Sequence, residues 1–298
     1  MTGSNNNIFT VDKLFNVKNW VVVVTGGGTG IGLMCAQAFA NNGARVYIVG
    51  RRSDALQNVI QTHGPSIQNG GQLIPITADI SSKESIATLV NEISKKEKYV
   101  NVLVNNAGIA TKERTDVTKG EDEGVEALRD ELWKTDQTEW EEVYRTNVVG
   151  YYYTAVAFLP LLAAATEHFH GYSACILNNA SMSGTTHVSQ AQFPYNVSKG
   201  AVQHLTSLLA YEFSRPAVKV RVNAFSPGIF PSEMTTQSSG ADQKSHIPAE
   251  GFGEKKGIPA DRPGKDDDIA QLVLMLACDT YVNGQNVHID GGFLLRHP

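Results

Sequence analysis

The stretch Val21-Val22-Val23-Val24-Thr25-Gly26-Gly27-Gly28-Thr29-Gly30-Ile31-Gly32 decides how this chain folds. Four consecutive valines predict a strand buried on both faces, the pattern of a parallel sheet. The glycines that follow let the backbone turn tightly and approach a ligand where a Cβ would collide. Beyond them Ile31, Met34, Cys35, Ala38 and Phe39 recur at the spacing of one apolar helix face, and Asn42-Gly43 tolerates the left-handed geometry of a helix end. Strand, turn and helix aim amide N–H groups and a positive helix end at one point. That point suits a pyrophosphate.

Outward from this unit the chain alternates. Strands are predicted at Ala44 to Val49, Gln72 to Ile76, Val100 to Val104, Ser173 to Leu177, Val218 to Ala224 and from Val287. Helical patterns lie between them, at Ser53 to Thr62, Ser82 to Lys95, from Trp140 through Leu162, Tyr195 to Phe213 and Asp266 to Ala277. Such alternation without a linker predicts an α/β fold, a Rossmann-type doubly wound parallel sheet in a single domain over residues 20–298. Residues 1–19 are expected to be an N-terminal arm. Thr111 to Asp136 is polar and acid-rich, with Glu121-Asp122-Glu123, and reads as a solvated surface excursion, with shielding of part of the site as the alternative. A glycine- and proline-punctuated stretch, about 229–263, is expected to form a substrate loop. Met182, His187 and Phe193 are expected to shape the pocket with it.

Composition narrows the function classes. A 298-residue chain with 42% hydrophobic and 18% charged residues is an ordinary globular protein, and a formal charge of -5 gives no basic footprint for nucleic acid. The valine run is too short to span a bilayer, and the start of the chain lacks the basic and apolar segments of an export signal. Cys35, Cys175 and Cys278 have no metal spacing and suit a reducing compartment, with Cys35 in the core. A cytoplasmic protein is expected, with no metal.

Chemistry is carried by Tyr195-Asn196-Val197-Ser198-Lys199, where positions i and i+4 share a helix face. A phenol titrates near ~10 and is a poor proton donor at neutral pH, so an adjacent cation has a purpose. Upstream, Ser181 follows the fifth strand in Asn178-Asn179-Ala180-Ser181-Met182-Ser183-Gly184, on the sheet edge where ligands bind. Asn147 interrupts an apolar helix. On the residues alone, Ser181 also reads as a turn or N-cap residue and Asn147 as a buried, satisfied amide.

In order and approximate spacing, Asn147, Ser181, Tyr195 and Lys199 resemble the tetrad of the short-chain dehydrogenase/reductase family. The Thr-Gly-x-x-x-Gly-x-Gly turn from Thr25 to Gly32, Asn105-Asn106-Ala107-Gly108, Pro227-Gly228 and Asp290-Gly291-Gly292 extend the resemblance from Val21 to Gly292. It implies that Ser181 binds the substrate carbonyl oxygen and Tyr195 donates the proton. Lys199 is implied to hold the nicotinamide ribose and lower the phenol pKa, and Asn147 to anchor a relay water. Gly26, Gly28, Thr29, Gly30 and Ile31 are implied to cradle the cofactor, with Asn106, Ala107 and Gly108 beside it. Pro227, Gly228 and Ile229 are implied to line the nicotinamide pocket, with Ser232 where the family often has threonine. Asp79, with Ile80, is either an adenine contact or the N-cap of the next helix.

The stretch Ser226 to Thr235 resembles the subgroup named for 3-oxoacyl reductases of the rhamnolipid type. The implied activity is an NADPH-dependent reduction of a small-molecule ketone, with a polyol, sugar or secondary-alcohol dehydrogenase and a non-catalytic NADP-binding sensor as alternatives. NADP(H) is favoured because Gly50, Arg51 and Arg52 stand where an acid would bind the ribose of NAD. Family members commonly form tetramers. Tyr151, Tyr152, Phe158, Leu162, Leu205, Leu208 and Leu209, too many for one face, predict a homotetramer, with a dimer as the alternative.

Overall fold

The computed structural model describes residues 6–112 and 114–298. Its centre is a sheet of seven parallel strands: β1 (Val21–Thr25), β2 (Arg45–Gly50), β3 (Gln72–Thr77), β4 (Val102–Asn105), β5 (Cys175–Asn179), β6 (Arg221–Pro227) and β7 (Asn286–Ile289). Their spatial order is β3-β2-β1-β4-β5-β6-β7. The chain therefore reverses its direction of travel between β1 and β4, and a crevice opens there beyond the carboxyl ends of the strands.

The valine run is buried on both faces for a simple reason. Successive side chains of a strand point to opposite sides. Val22 and Val24 pack with helices α1 (Gly30–Asn41), α2 (Ser53–His63) and α10 (Asp266–Cys278), whereas Val21 and Val23 pack with α3 (Lys83–Ser94), α6 (Gly150–His168) and α7 (Phe193–Phe213). Each valine so covered contributes about 1.5–3 kcal/mol of hydrophobic stabilisation. The helical run Gln137–His168 is long and apolar enough to cross a membrane by composition. Here Ala155, Phe158, Leu162 and Ala165 of that run are fully buried against the sheet, so it is a core helix.

Several boundaries depart from the sequence reading. Strand β6 begins at Arg221, not Val218, because Val218 closes a turn onto the Arg215 carbonyl and Lys219 is left-handed at φ 53°. Helix α7 begins at Phe193, with Pro194 in its first turn, where a missing N–H costs nothing. The segment 111–136 is not a plain loop. It folds into a turn of helix, Lys119–Asp122, and α4 (Val125–Trp133), held by Lys119 and Lys134 on Glu131 at 3.3 and 2.7 Å. After it come α5 (Gln137–Tyr144) and a π-helical turn, Arg145–Val149.

Of the predicted arm, Met1 to Asn5 lies outside the described residues, and Val17 already belongs to the core. Cys35 is buried as expected, and burial pushes its thiol up to about 12. Among the apolar residues expected to form subunit contacts, Tyr151, Phe158, Leu162 and Leu209 are buried inside this chain. Their place is the sheet face, which α6 and α7 cover together. Tyr152 and Leu208 remain exposed, alongside Val149, Val156, Val197 and Tyr211 on the same two helices and the π turn.

Candidate active site

The glycine turn between β1 and α1 forms one wall of a cleft of about 860 Å³. Gly26 and Gly30 have positive φ, at 66° and 52°, and their positions are crowded. A Cβ on Gly26 would lie 2.8 Å from Ala107 Cα, and one on Gly30 would lie 2.9 Å from Ser232 Cβ. Thr29 begins α1 without a side-chain cap. The first-turn N–H groups therefore face the cleft with the positive helix end behind them.

Three side chains converge on the opposite wall. Tyr195 and Lys199 lie one turn apart on α7, and Ser181 stands just past β5. The Lys199 ammonium donates to the Asn179 carbonyl at 2.7 Å and lies 5.7 Å from the Tyr195 ring centre. Burial lowers its pKa to about 7. Burial is also the larger influence on Tyr195, raising the phenol, while a hydrogen bond with Ser181 pulls it back down. The Tyr195–Lys199 spacing predicts a cation that lowers the phenol, but Lys199 is not among the influences that shift it. Desolvation dominates because the low-dielectric wall disfavours charge on both partners. The Ser181 oxygen also accepts from the Ser183 N–H at 3.1 Å, so the turn role read from sequence coexists with a place in the cleft.

Asn147 stands behind this wall, fully buried in the π turn and outside the cleft lining. Its amide accepts from the Ile109 N–H at 2.9 Å and donates to the Ile109 carbonyl at 3.0 Å and the Ser198 hydroxyl at 3.1 Å. The buried, satisfied amide describes its side chain. It ties the segment after β4 to the helix that carries Tyr195. A mid-helix π turn is a common mark of a functional site.

Side-chain amides brace the floor. Asn106 donates to the Thr25 carbonyl at 2.9 Å and accepts from Asn179 at 2.7 Å, and Asn105 donates to Asn178 at 3.0 Å. Asn178 in turn donates to Thr206 of α7 at 2.9 Å. These bonds lock the carboxyl ends of β1, β4 and β5 to one another. The Asn179 side-chain oxygen is buried in the cleft wall with no partner among the described residues.

At the other end, Gly50 leaves β2 without an acid, and Arg51 lines the cleft with no ion pair among the described residues. Arg52 is held instead by Glu233 of the short helix α8 (Glu233–Thr236), through a double contact at 2.6 and 3.2 Å. Glu233 is further bonded by Ser239 at 2.8 Å and by Thr29 of the glycine turn. Asp79 accepts from the Ser81 N–H at 2.9 Å and the Ser81 hydroxyl at 2.8 Å. The cap of α3 is Ser82, which accepts from the Ser85 N–H at 3.2 Å, so the N-cap reading of Asp79 is corrected. Asp79 lies three residues before the cap position, too far for its side chain to reach the first-turn N–H groups.

A family model described as enoyl-(acyl carrier protein) reductase matches residues 26–294. The short-chain dehydrogenase/reductase PhomF of Diaporthe leptostromiformis is 34% identical over 96% of this chain and 94% of its own length. The chain belongs to the short-chain dehydrogenase/reductase family. It is also similar to the galactitol 2-dehydrogenase (L-tagatose-forming) of Cereibacter sphaeroides, at 32% identity over 94% of this chain and 97% of that one. The solved RhlG/NADP active-site complex of Pseudomonas aeruginosa superposes with a TM-score of 0.77, at 28% identity over 94% of this chain and 98% of that one.

The cleft gathers most of the residues that the sequence singles out. Gly26, Gly28, Thr29, Gly30, Ile31, Arg51, Arg52, Asp79, Ile80, Asn106, Ala107 and Gly108 all line it, as do Ser181, Tyr195, Lys199, Pro227, Gly228, Ile229 and Ser232. His187 does not. It is exposed, and its N–H donates to a Pro298 oxygen at 3.0 Å, because the chain turns outward after Gly184 to meet the C-terminus. Phe193 also lies outside the lining, whereas Met182 is in it. Asn179, Glu233, Phe252 and Phe293 also line the cleft and are not singled out by the sequence. Glu233 and Phe252 fall within the expected substrate loop, Asn179 ends a strand that points at the site, and Phe293 carries no signal.

Proposed function

We propose that the protein is an NADPH-dependent reductase that transfers hydride to a ketone, a 3-oxoacyl compound or a similar carbonyl. The observation that carries this reading is the convergence of Ser181, Tyr195 and Lys199 on a cleft whose far end has Arg51 where an acid would select NAD. The cleft suits a nicotinamide dinucleotide: Gly26 and Gly30 let the turn pack tightly on Ala107 and Ser232, the α1 N-terminus suits a pyrophosphate, and Arg51 suits a 2′-phosphate. The RhlG relative, solved with NADP, supports the same choice. The nicotinamide, when bound, supplies the hydride.

This chain's residues do the rest. Ser181 donates to the carbonyl oxygen and holds it at the Tyr195 phenol. As the carbon gains hydride, Tyr195 gives its proton to that oxygen, leaving an alcohol and a phenolate. A raised phenol pKa keeps the proton in place until charge develops on the oxygen. Lys199, titrating near neutrality, compensates the phenolate and anchors the ribose. Asn147 positions Ile109 and α7 behind the reacting groups, and its turn is where a relay water would be held. Gly28, Thr29, Ile31, Asp79, Ile80, Asn106, Ala107, Gly108, Pro227, Gly228, Ile229 and Ser232 hold the dinucleotide along the cleft.

The galactitol dehydrogenase relative supports a second reading, oxidation of a polyol. Initial rates of NADPH and NADH oxidation on a ketone panel, beside NADP and NAD reduction on polyols, separate the two. Ketone reduction faster with NADPH is expected. Polyol oxidation alone would favour the second reading, and cofactor binding without turnover would favour a sensor. A cytoplasmic homotetramer, with a dimer as the alternative, completes the proposal. The exposed apolar residues of α6 and α7 are its surfaces, and light scattering tests it.

A further inference from the structure

The charges that line the cleft do not balance. Five cations, Arg51, Arg52, Arg114, Lys199 and Lys256, face two carboxylates, Asp79 and Glu233, in a chain of formal charge -5. Glu233 is taken by Arg52, Asp79 is turned onto Ser81, and Arg51 sits at the end assigned to the cofactor. Arg114 and Lys256 are left over, at the other end.

Their positions are specific. In the insertion 111–136, Lys112, Lys119, Arg129 and Lys134 all make ion pairs, and Arg114 makes none among the described residues. An acid-rich segment that pairs every other base presents this one to the cleft. Its neighbour Thr115 donates to the Ala191 carbonyl at 3.2 Å, between Gln190 and Gln192, so Arg114 sits beside the loop that leads to Tyr195. Gln190 and Ala191 are both left-handed, at φ 52° and 58°, a local cost that holds this corner in shape. Lys256 ends α9 (Phe252–Lys256), whose Phe252 packs with Met182 and Phe293 in an apolar cluster next to Ser181. Lys256 likewise has no ion pair among the described residues. Apolar wall and unmatched cations thus occur together at the reacting end.

Resting on the carbonyl-reductase reading above, we propose that the substrate carries, besides its carbonyl, an anionic group on an apolar body, received by Arg114 and Lys256. A carboxylate or a phosphate ester has the same chemistry toward these two cations.

The test is calorimetric titration of matched ligand pairs, octanoate against octanamide and octyl phosphate against octan-1-ol, with and without NADPH. The proteins are the wild type, the double variant R114Q/K256Q and the control K255Q, whose residue lies outside the cleft lining. We expect the wild type and K255Q to favour the charged member of a pair by about tenfold, and the double variant to lose that preference. Preference for octanoate assigns a carboxylate, and preference for octyl phosphate alone assigns a phosphate ester. Equal binding within both pairs, no binding of any ligand, or a preference that survives in R114Q/K256Q or vanishes in K255Q overturns the inference. NADPH binding is followed separately by its fluorescence. Its absence would count against the cofactor reading alone, because the pairs are also titrated without it.

Discussion

Replacing Lys199 by methionine should make the protein more stable while ending turnover, and the gain should depend on pH in a particular direction. The ammonium is buried, and its pKa falls from 10.5 to about 7. At about 1.36 kcal/mol per pH unit, that gap is a cost of about 5 kcal/mol to the folded state when the group is fully protonated. The sign follows from proton counts. Between pH 7 and 10.5 the unfolded chain keeps a proton that the folded chain sheds, so stability rises with pH across that window. Below pH 7 the full cost is present. Methionine keeps the unbranched length and removes the charge, but it forfeits the bond to the Asn179 carbonyl, worth about 1–2 kcal/mol. The Tyr151 hydroxyl, 3.4 Å from the same carbonyl, limits that loss. The net gain should be about 3 kcal/mol at pH 6 and below about 1 kcal/mol at pH 9. Urea denaturation followed by tryptophan fluorescence, at matched protein concentration and four pH values, measures it. A difference flat with pH, or a variant less stable throughout, would refute the argument that Lys199 is held neutral-prone by burial.

Three further outcomes are expected. Tyr195→Phe keeps the ring and removes the proton, so kcat should fall about 100- to 10,000-fold with NADPH binding retained; a variant with a tenth of wild-type turnover would remove Tyr195 from the mechanism. Arg51→Ala should weaken NADPH about ten- to a hundredfold by fluorescence titration and leave NADH nearly unchanged, and equal losses for both would count against the 2′-phosphate assignment. Gly26→Ala forces a Cβ to 2.8 Å from the Ala107 backbone at φ 66°. It should cost about 1–3 kcal/mol of stability and cofactor affinity together, so normal thermal unfolding and normal NADPH binding would contradict the crowding argument.

What could be read beforehand was whatever local periodicity encodes. The valine run, the glycine turn and the Tyr195–Lys199 spacing each carry their geometry within a few residues, so strand, turn and shared helix face followed directly. The start of β6 did not follow, because Val218 and Val220 alternate like strand residues while the left-handed Lys219 turns the chain. The helices of 111–136 were hidden by polarity, since ion pairs rather than an apolar face hold them. Asp79 precedes a predicted helix and has the chemistry of a cap, and only the backbone path gives that place to Ser82. Arg52 and Glu233 are 181 residues apart, beyond any local pattern. His187 carries catalytic chemistry in its ring, yet the outward turn after Gly184 directs it to solvent.

The Arg52–Glu233 pair joins two segments that have different partners. Arg52 belongs to the loop after β2, at the end of the cleft proposed for the cofactor, and Glu233 opens α8 in the stretch proposed as the substrate loop. Glu233 also touches Thr29, so the contact reaches the glycine turn. As a partly exposed pair it contributes at most about 1 kcal/mol to folding, and its weight lies elsewhere. A phosphate that competes for Arg52 leaves Glu233 held by Ser239 and Thr29 alone, and so loosens the tie between the two segments. By thermodynamic reciprocity, a substrate that draws the loop to a different position must alter the affinity for that phosphate by the same factor. On the proposed reading, one weak ion pair is enough to couple the binding of the two reactants, with a sign set by whether the loop binds substrate better with Arg52 holding Glu233 or not.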